Sequence, residues 1–308
     1  MKTISKKPLL VLIGGPTASG KTTLAVDLAK HYNTEVLSAD SRQFYDQLQI
    51  GTARPTTEEL KGVPHHFLGF LQPDEPYTAG QFEKDALAVL EKLFTEHSVV
   101  FACGGSGMYL QALADGIDHI PSAPEEREKL IAEFEEHGIG TLQDELLAKD
   151  PEYYHVVDLK NHTRLIRALE VIRHSGKTYT SFRQGEKKNR PFRILKLAID
   201  RDRKELYNRI NERAIQMIDA GLVDEVKQLL PYRHHQALNS VGYKEIFAHL
   251  GGEYDLDTAI RQIQKNTRNF AKRQMTWFRN QDGWEFLPPA PINNWNDLIN
   301  QALSHNVG

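Results

Sequence analysis

Gly15-Pro-Thr-Ala-Ser-Gly-Lys-Thr22 has the spacing G-x-x-x-x-G-K-T, and residues 9–13 before it (LLVLI) read as a short buried strand. The chemistry of such a stretch is anion capture. Gly15 and Gly20 let the backbone curl through Pro16, Thr17, Ala18 and Ser19 with its N–H groups turned inward. Lys21 adds a positive charge, and a helix opening near it offers the positive end of its dipole. A diphosphate or triphosphate fits this cradle, and Thr22 stands where a hydroxyl holds Mg²⁺ against phosphate oxygens. Asp40 follows a second apolar run, 35–39. In an open α/β sheet the ligand crevice lies outside the carboxyl ends of the strands, so Asp40 is expected to face the loop. As an alternative, it caps a helix opening at Ser41. The run 98–103 passes directly into Gly104-Gly-Ser-Gly107, with no acid where an ATPase would carry a metal carboxylate.

Along the chain, GPTASGKT, SADSRQFY, IGTARPT, CGGSGMYLQAL, RLIRALEV and SVGYKE occur in the order found in the tRNA dimethylallyltransferases (tRNA isopentenyltransferases), and the sequence resembles that family over nearly its whole length. The resemblance implies transfer of a prenyl group from dimethylallyl diphosphate to N6 of adenosine 37, beside the tRNA anticodon. It makes Asp40 the general base, with Lys21, Thr17 and Arg213 on the departing diphosphate and Mg²⁺ at Thr22. Read from the residues alone, the alternative for Arg213 is a surface arginine of a charged helix. The resemblance also implies tRNA contacts by Asp40, Ser41, Arg42 and Gln43, and by Ser106, Arg127, Thr163, Arg164, Leu165, Ile166 and Arg167. Ser240, Val241, Gly242, Tyr243, Lys244 and Glu245 complete that set. The sequence departs from the family pattern at Asn161 and His162, where an acid is expected. Base flipping follows if a stacked adenine is to reach Asp40. Two rivals share parts of this pattern: a small-molecule kinase, which would show a lid and a metal acid, and a non-catalytic RNA-binding module.

The 308 residues, 40% hydrophobic, suffice for two domains. The expected fold class is α/β. A P-loop NTPase-like core of parallel sheet flanked by helices would span 1–115 and 193–308, with an all-helical insertion domain at 116–192. Strands are expected at 9–13, 35–39, 98–103, 193–199 and 284–287, and helices at 77–96, 204–220, 223–230 and 256–279. The basic start, 1–7, precedes too short an apolar run for a signal peptide, and no run is long enough to span a membrane. One cysteine, Cys103, excludes an internal disulfide and a multi-cysteine zinc finger, and is expected to pack at a strand end. A cytoplasmic monomer is the expectation.

Net charge is -3, yet charge is segregated. Residues 124–158 carry eleven acids and three bases, and 160–193 ten bases and two acids. Arg261, Lys265, Arg268, Lys272 and Arg279 recur within about 60° of helical arc, at 100° per residue. Both features suggest surfaces for phosphate, or else solvated helix faces. Adjacent histidines at 65–66 and 234–235 diverge too far to chelate one metal, and Tyr77, Phe82 and Trp277 are expected to pack rather than to stack on bases.

Overall fold

The computed structural model describes residues 7–183 and 185–304; the basic start at 1–7 lies outside them except for Lys7. The apolar run before the loop is β1 (Leu9–Gly14), buried at all six positions. A strand without polar alternation needs cover on both faces. The chain continues from it through α1 (Lys21–Tyr32), β2 (Val36–Ser38), α2 (Thr57–Leu60), β3 (His65–His66), α3 (Ala79–Leu93), β4 (Val99–Cys103) and α4 (Gly107–Asp115). Four helices follow: α5 (Pro124–His137), α6 (Ile139–Lys149), α7 (Pro151–Val156) and α8 (His162–Ser175). The last stretch holds β5 (Arg193–Ile199), α9 (Arg203–Asp219), α10 (Leu222–Gln228), α11 (Tyr243–Leu250), α12 (Leu256–Arg279), β6 (Trp284–Leu287) and α13 (Ile292–Ser304).

The six strands form one parallel sheet in the order β3-β2-β4-β1-β5-β6. Alternation along β1 divides the core between its two faces. Leu10 and Leu12 pack with Val100, Phe82, Leu110 and Phe278 under α3, α4 and α12. Leu9, Val11 and Ile13 pack with Leu24 and Leu28 of α1 and with Trp295 and Ile299 of α13. Parallel pairing puts the carboxyl ends of β1, β2 and β4 side by side, with Ile13 opposite Cys103 and Ser38 opposite Cys103 from the other side. The three segments that leave those ends are the phosphate loop, Asp40 and the glycine-rich turn at 104–107.

The chain divides into two compact units, Met1–Ala114 with Asn189–Gly308, which carries the sheet, and Asp115–Lys188, which carries α5 to α8. In the helical unit Pro124 and Pro151 open helices at their first turn, where a missing N–H costs nothing. Its core is Leu130, Leu142, Leu146, Leu165, Ile166 and Leu169. Asn161, at the departure from the family pattern, caps α8 by accepting the Arg164 N–H at 3.2 Å, and His162 stacks on Phe134. The acidic and basic stretches that the sequence separates meet here. Arg173 bonds Glu133 at 2.7 Å and Glu145 at 2.5 Å, and Arg167 bonds the buried Glu170 at 2.7 Å. The 160–193 stretch is therefore in part an internal ion-pair network rather than one free basic face.

Candidate active site

β1 ends at Gly14 and the loop turns back on itself before α1, with Gly20 at φ 98°, a left-handed value that favours glycine. Ala18 also sits at positive φ, 62°, and two contacts hold it there. Its carbonyl accepts the Arg209 Nε–H at 2.8 Å, and its methyl packs against Leu206, Ile210 and Ala271. Arg201 donates to the next carbonyl, Ser19 O, through Nε at 3.2 Å and a terminal nitrogen at 3.1 Å. The carbonyls of Ala18 and Ser19 are thus satisfied by arginines.

A cavity of about 200 Å³ opens over this loop, lined by Thr17, Lys21, Thr22, Asp40, Gln43, Cys103 and Arg213, with Arg209 beside them. Lys21 Nζ donates to Pro16 O at 2.7 Å. Burial lowers the Lys21 pKa, and the nearby Asp40 carboxylate works against that shift. Burial also lowers the Arg213 pKa, with the Arg209 charge adding to the effect. Lys21, Arg209 and Arg213 gather at a cavity whose acids are Asp40 and Glu59, and an anionic ligand would add counter-charge to the three cations. Arg213 faces the cavity, which decides against a solvent-facing surface arginine.

Asp40 lines the same cavity. The chain after it makes turns instead of the helix it might have capped: Asp40 Oδ1 accepts the Arg42 N–H at 3.1 Å and its carbonyl accepts the Gln43 N–H at 3.0 Å. Ser106 Oγ accepts the Ser41 N–H at 3.1 Å and lies 3.2 Å from Ser41 Oγ, so the turn at 104–107 braces the Asp40 segment. Arg42 donates to Gln236 O at 2.7 Å, and Gln43 Nε2 to Thr52 O at 3.2 Å.

Cys103 lines the cavity wall at the end of β4, and burial pushes its thiol up to about 12. A thiol in that state is a weak nucleophile. The single cysteine should therefore react with a disulfide reagent at pH 8 at least about a hundredfold more slowly in the native protein than in denaturant, as absorbance of the released thiolate would show.

Several residues expected to touch RNA point inward. Leu165 and Ile166 are 0% and 4% exposed in the helical core, leaving Thr163, Arg164 and the half-buried Arg127 and Arg167 on that unit's surface. Tyr243 and Glu245 are 0% and 4% exposed. Tyr243 donates to Glu225 at 2.6 Å, and the same carboxylate accepts the N–H groups of Gln49, Ile50 and Gly51 at 3.1, 2.7 and 3.0 Å. Glu245 accepts from Gly242 N at 2.7 Å and from Asn266 at 2.7 Å. This motif therefore holds the 49–53 loop, which lines the cavity through Thr52 and Ala53; Lys244 is its exposed member, with Ser240 and Val241 half-buried. Of the basic stripe on α12, Arg261, Lys265 and Lys272 are exposed, while Arg268 bonds Asn211 at 2.5 Å and Arg279 pairs with Asp200 at 3.2 Å.

His65 and His66 form the short edge strand β3 and point apart, His66 to Glu35 at 2.6 Å and His65 to Val63 O at 2.9 Å. Among the described residues no group of three or more His, Cys, Asp or Glu could hold a metal. The sequence reading missed Arg209 and Gln274. Gln274 Oε1 accepts the Thr17 N–H at 2.8 Å.

The model of the family described as IPP transferase matches residues 43–281. The chain belongs to the IPP transferase family. It is accordingly an enzyme, a prenyltransferase. A tRNA dimethylallyltransferase 1 of Bacteroides thetaiotaomicron is 50% identical over 283 residues, 92% of either chain. The crystal structure of a tRNA isopentenylpyrophosphate transferase from Bacillus halodurans superposes with a TM-score of 0.70 at 34% identity, covering 97% of both chains. A eukaryotic dimethylallyltransferase acting on tRNA shares the fold, with a TM-score of 0.76 at 23% identity over 96% of this chain and 77% of that one. Among this family member's described residues, no helix is long and apolar enough to cross a membrane.

Proposed function

We propose that the protein moves the dimethylallyl group of dimethylallyl diphosphate to N6 of adenosine 37 in tRNA and releases diphosphate. The observation that carries this reading is that Lys21, Thr17, Arg213 and Asp40 line one cavity. An adenine amine is a poor nucleophile, since its lone pair is delocalised into the ring. As the bond from N6 to the first prenyl carbon forms, that carbon's bond to the diphosphate oxygen breaks and its electron pair leaves with the oxygen. Asp40 takes the N6 proton, help worth about 10²- to 10⁴-fold. Lys21, Arg213 and the loop N–H groups stabilise the charge that collects on the leaving group. Thr22 would hold Mg²⁺. A site with a hydroxyl and no acidic cage suits this ion, which prefers phosphate oxygens and water for most of its ligands. When bound it would neutralise part of the diphosphate charge.

An adenine must leave the anticodon-loop stack to reach Asp40, at a cost on the order of a few kcal/mol. Phosphate contacts by Lys265 and Lys272 on α12 would offset that cost. Reversing both charges (Lys265→Glu, Lys272→Glu) should weaken tRNA binding and flatten the plot of log affinity against log salt by about 1.5. The slope is read from filter binding between low and moderate salt. Action on tRNA supports a cytoplasmic location, and the protein is read as a monomer. Incubation with labelled dimethylallyl diphosphate or with γ-labelled ATP, each with and without tRNA, tests the reading. Label from the first donor should appear on tRNA adenosine; label from ATP on any acceptor would support a kinase instead.

A further inference from the structure

Gln274 is a polar side chain on the inward face of α12, between the buried Ala271 and Phe278 at i-3 and i+4. It is 7% exposed, and both ends of its amide are used. Oε1 accepts the Thr17 N–H at 2.8 Å, and Nε2 donates to Gly105 O at 2.9 Å. Because the partners are one N–H and one carbonyl, only this orientation of the amide satisfies both. Thr17 belongs to the phosphate loop, whereas Gly105 belongs to the turn whose next residue, Ser106, braces Ser41 beside Asp40. One side chain therefore ties the phosphate loop to the turn that braces the Asp40 segment.

The packing around it fits that role. A Cβ on Gly105 would stand 2.4 Å from Gln274 Nε2, and one on Gly107 would stand 2.2 Å from the Trp277 ring, so α12 presses directly on the turn. Three residues before Gln274, Ala271 packs against Ala18 of the loop. The exposed Lys265 and Lys272 lie on the opposite side of the same helix.

We infer that Gln274 is a positioning residue that fixes the separation between the diphosphate cradle and the Asp40 segment. This rests on the prenyl-transfer reading above. Misplacement of reacting groups by about 1 Å can cost on the order of a hundredfold in rate. The loss should fall on turnover, since the phosphate loop and the Asp40 segment each keep their own binding groups.

Two variants test this. Gln274→Met keeps the volume and removes both bonds; Gln274→Glu keeps the acceptor for Thr17 but sets an oxygen against Gly105 O. Each is expected to lower kcat by about ten- to a hundredfold while KM for dimethylallyl diphosphate and for tRNA stays within about threefold. A wild-type kcat in Gln274→Met, or in a Gln274→Glu protein that has lost only the Gly105 bond, overturns the inference. So does a loss that falls on KM. Thermal melting identifies a variant that fails to fold; in that event Gln274→Asn, which carries both groups on a shorter stem, takes its place under the same criteria. If the wild type itself transfers no prenyl group, the functional reading fails instead, and the two failures are told apart by that control.

Discussion

Asp40→Asn should bind tRNA as tightly as the wild type and transfer the prenyl group at least about a hundredfold more slowly, the lower end of what a positioned base contributes. The change is nearly isosteric, and Asn can still accept the Arg42 N–H that Asp40 Oδ1 accepts at 3.1 Å. The local turn survives, so the deficit isolates the lost proton acceptor. Single-turnover transfer measured beside tRNA affinity separates the two quantities. A wild-type rate in this variant would remove Asp40 from the chemistry.

The second large effect lies at the phosphate loop. Lys21→Met keeps the length of the stem and removes the charge, and transfer should fall by roughly 10²- to 10³-fold, as when one preorganised group facing a developing anion is lost. In the wild type, burial depresses the Lys21 pKa. A diphosphate brought to that loop would offset the cost of burying the ammonium, so binding of inorganic pyrophosphate should weaken in the variant as well. Titration calorimetry with pyrophosphate reads this directly. Equal pyrophosphate affinity in both proteins would place the anion elsewhere.

How much of this was legible in the sequence depends on whether the signal is local. The phosphate loop, the strand that feeds it and the long helix of the C-terminal third were legible: 256–279 and 284–287 have the same bounds in the structure as in the sequence reading. Each is written in contiguous residues by apolar period or by glycine spacing. β3 was not, because two residues carry no period. α13 was readable from Ile292, Trp295 and Ile299 at i, i+3 and i+7, and was overlooked behind the last strand. At the site, Asp40 and Lys21 followed from their places at the ends of strands, whereas the roles of Tyr243, Glu245 and Leu165 did not. Their motifs match a pattern of RNA contact, and only the fold reveals that their side chains are spent on the protein's own backbone and core. Gln274 did leave a trace, as a polar residue in an otherwise apolar helical stripe. The charge runs misled for a related reason: distance along the chain says nothing about pairing, and Arg173 lies against acids of the opposite run.

The central claim is that one cavity grips a departing diphosphate and offers a carboxylate to an adenine turned out of its stack. A crystal structure of the protein with an anticodon stem-loop and the thiolo analogue of dimethylallyl diphosphate, which resists displacement, measures it. The account predicts the diphosphate in the 15–22 loop against Lys21 and Arg213, with the adenine N6 within hydrogen-bond distance of the Asp40 carboxylate. An adenine still stacked in its loop, or a diphosphate bound away from Lys21, would contradict it.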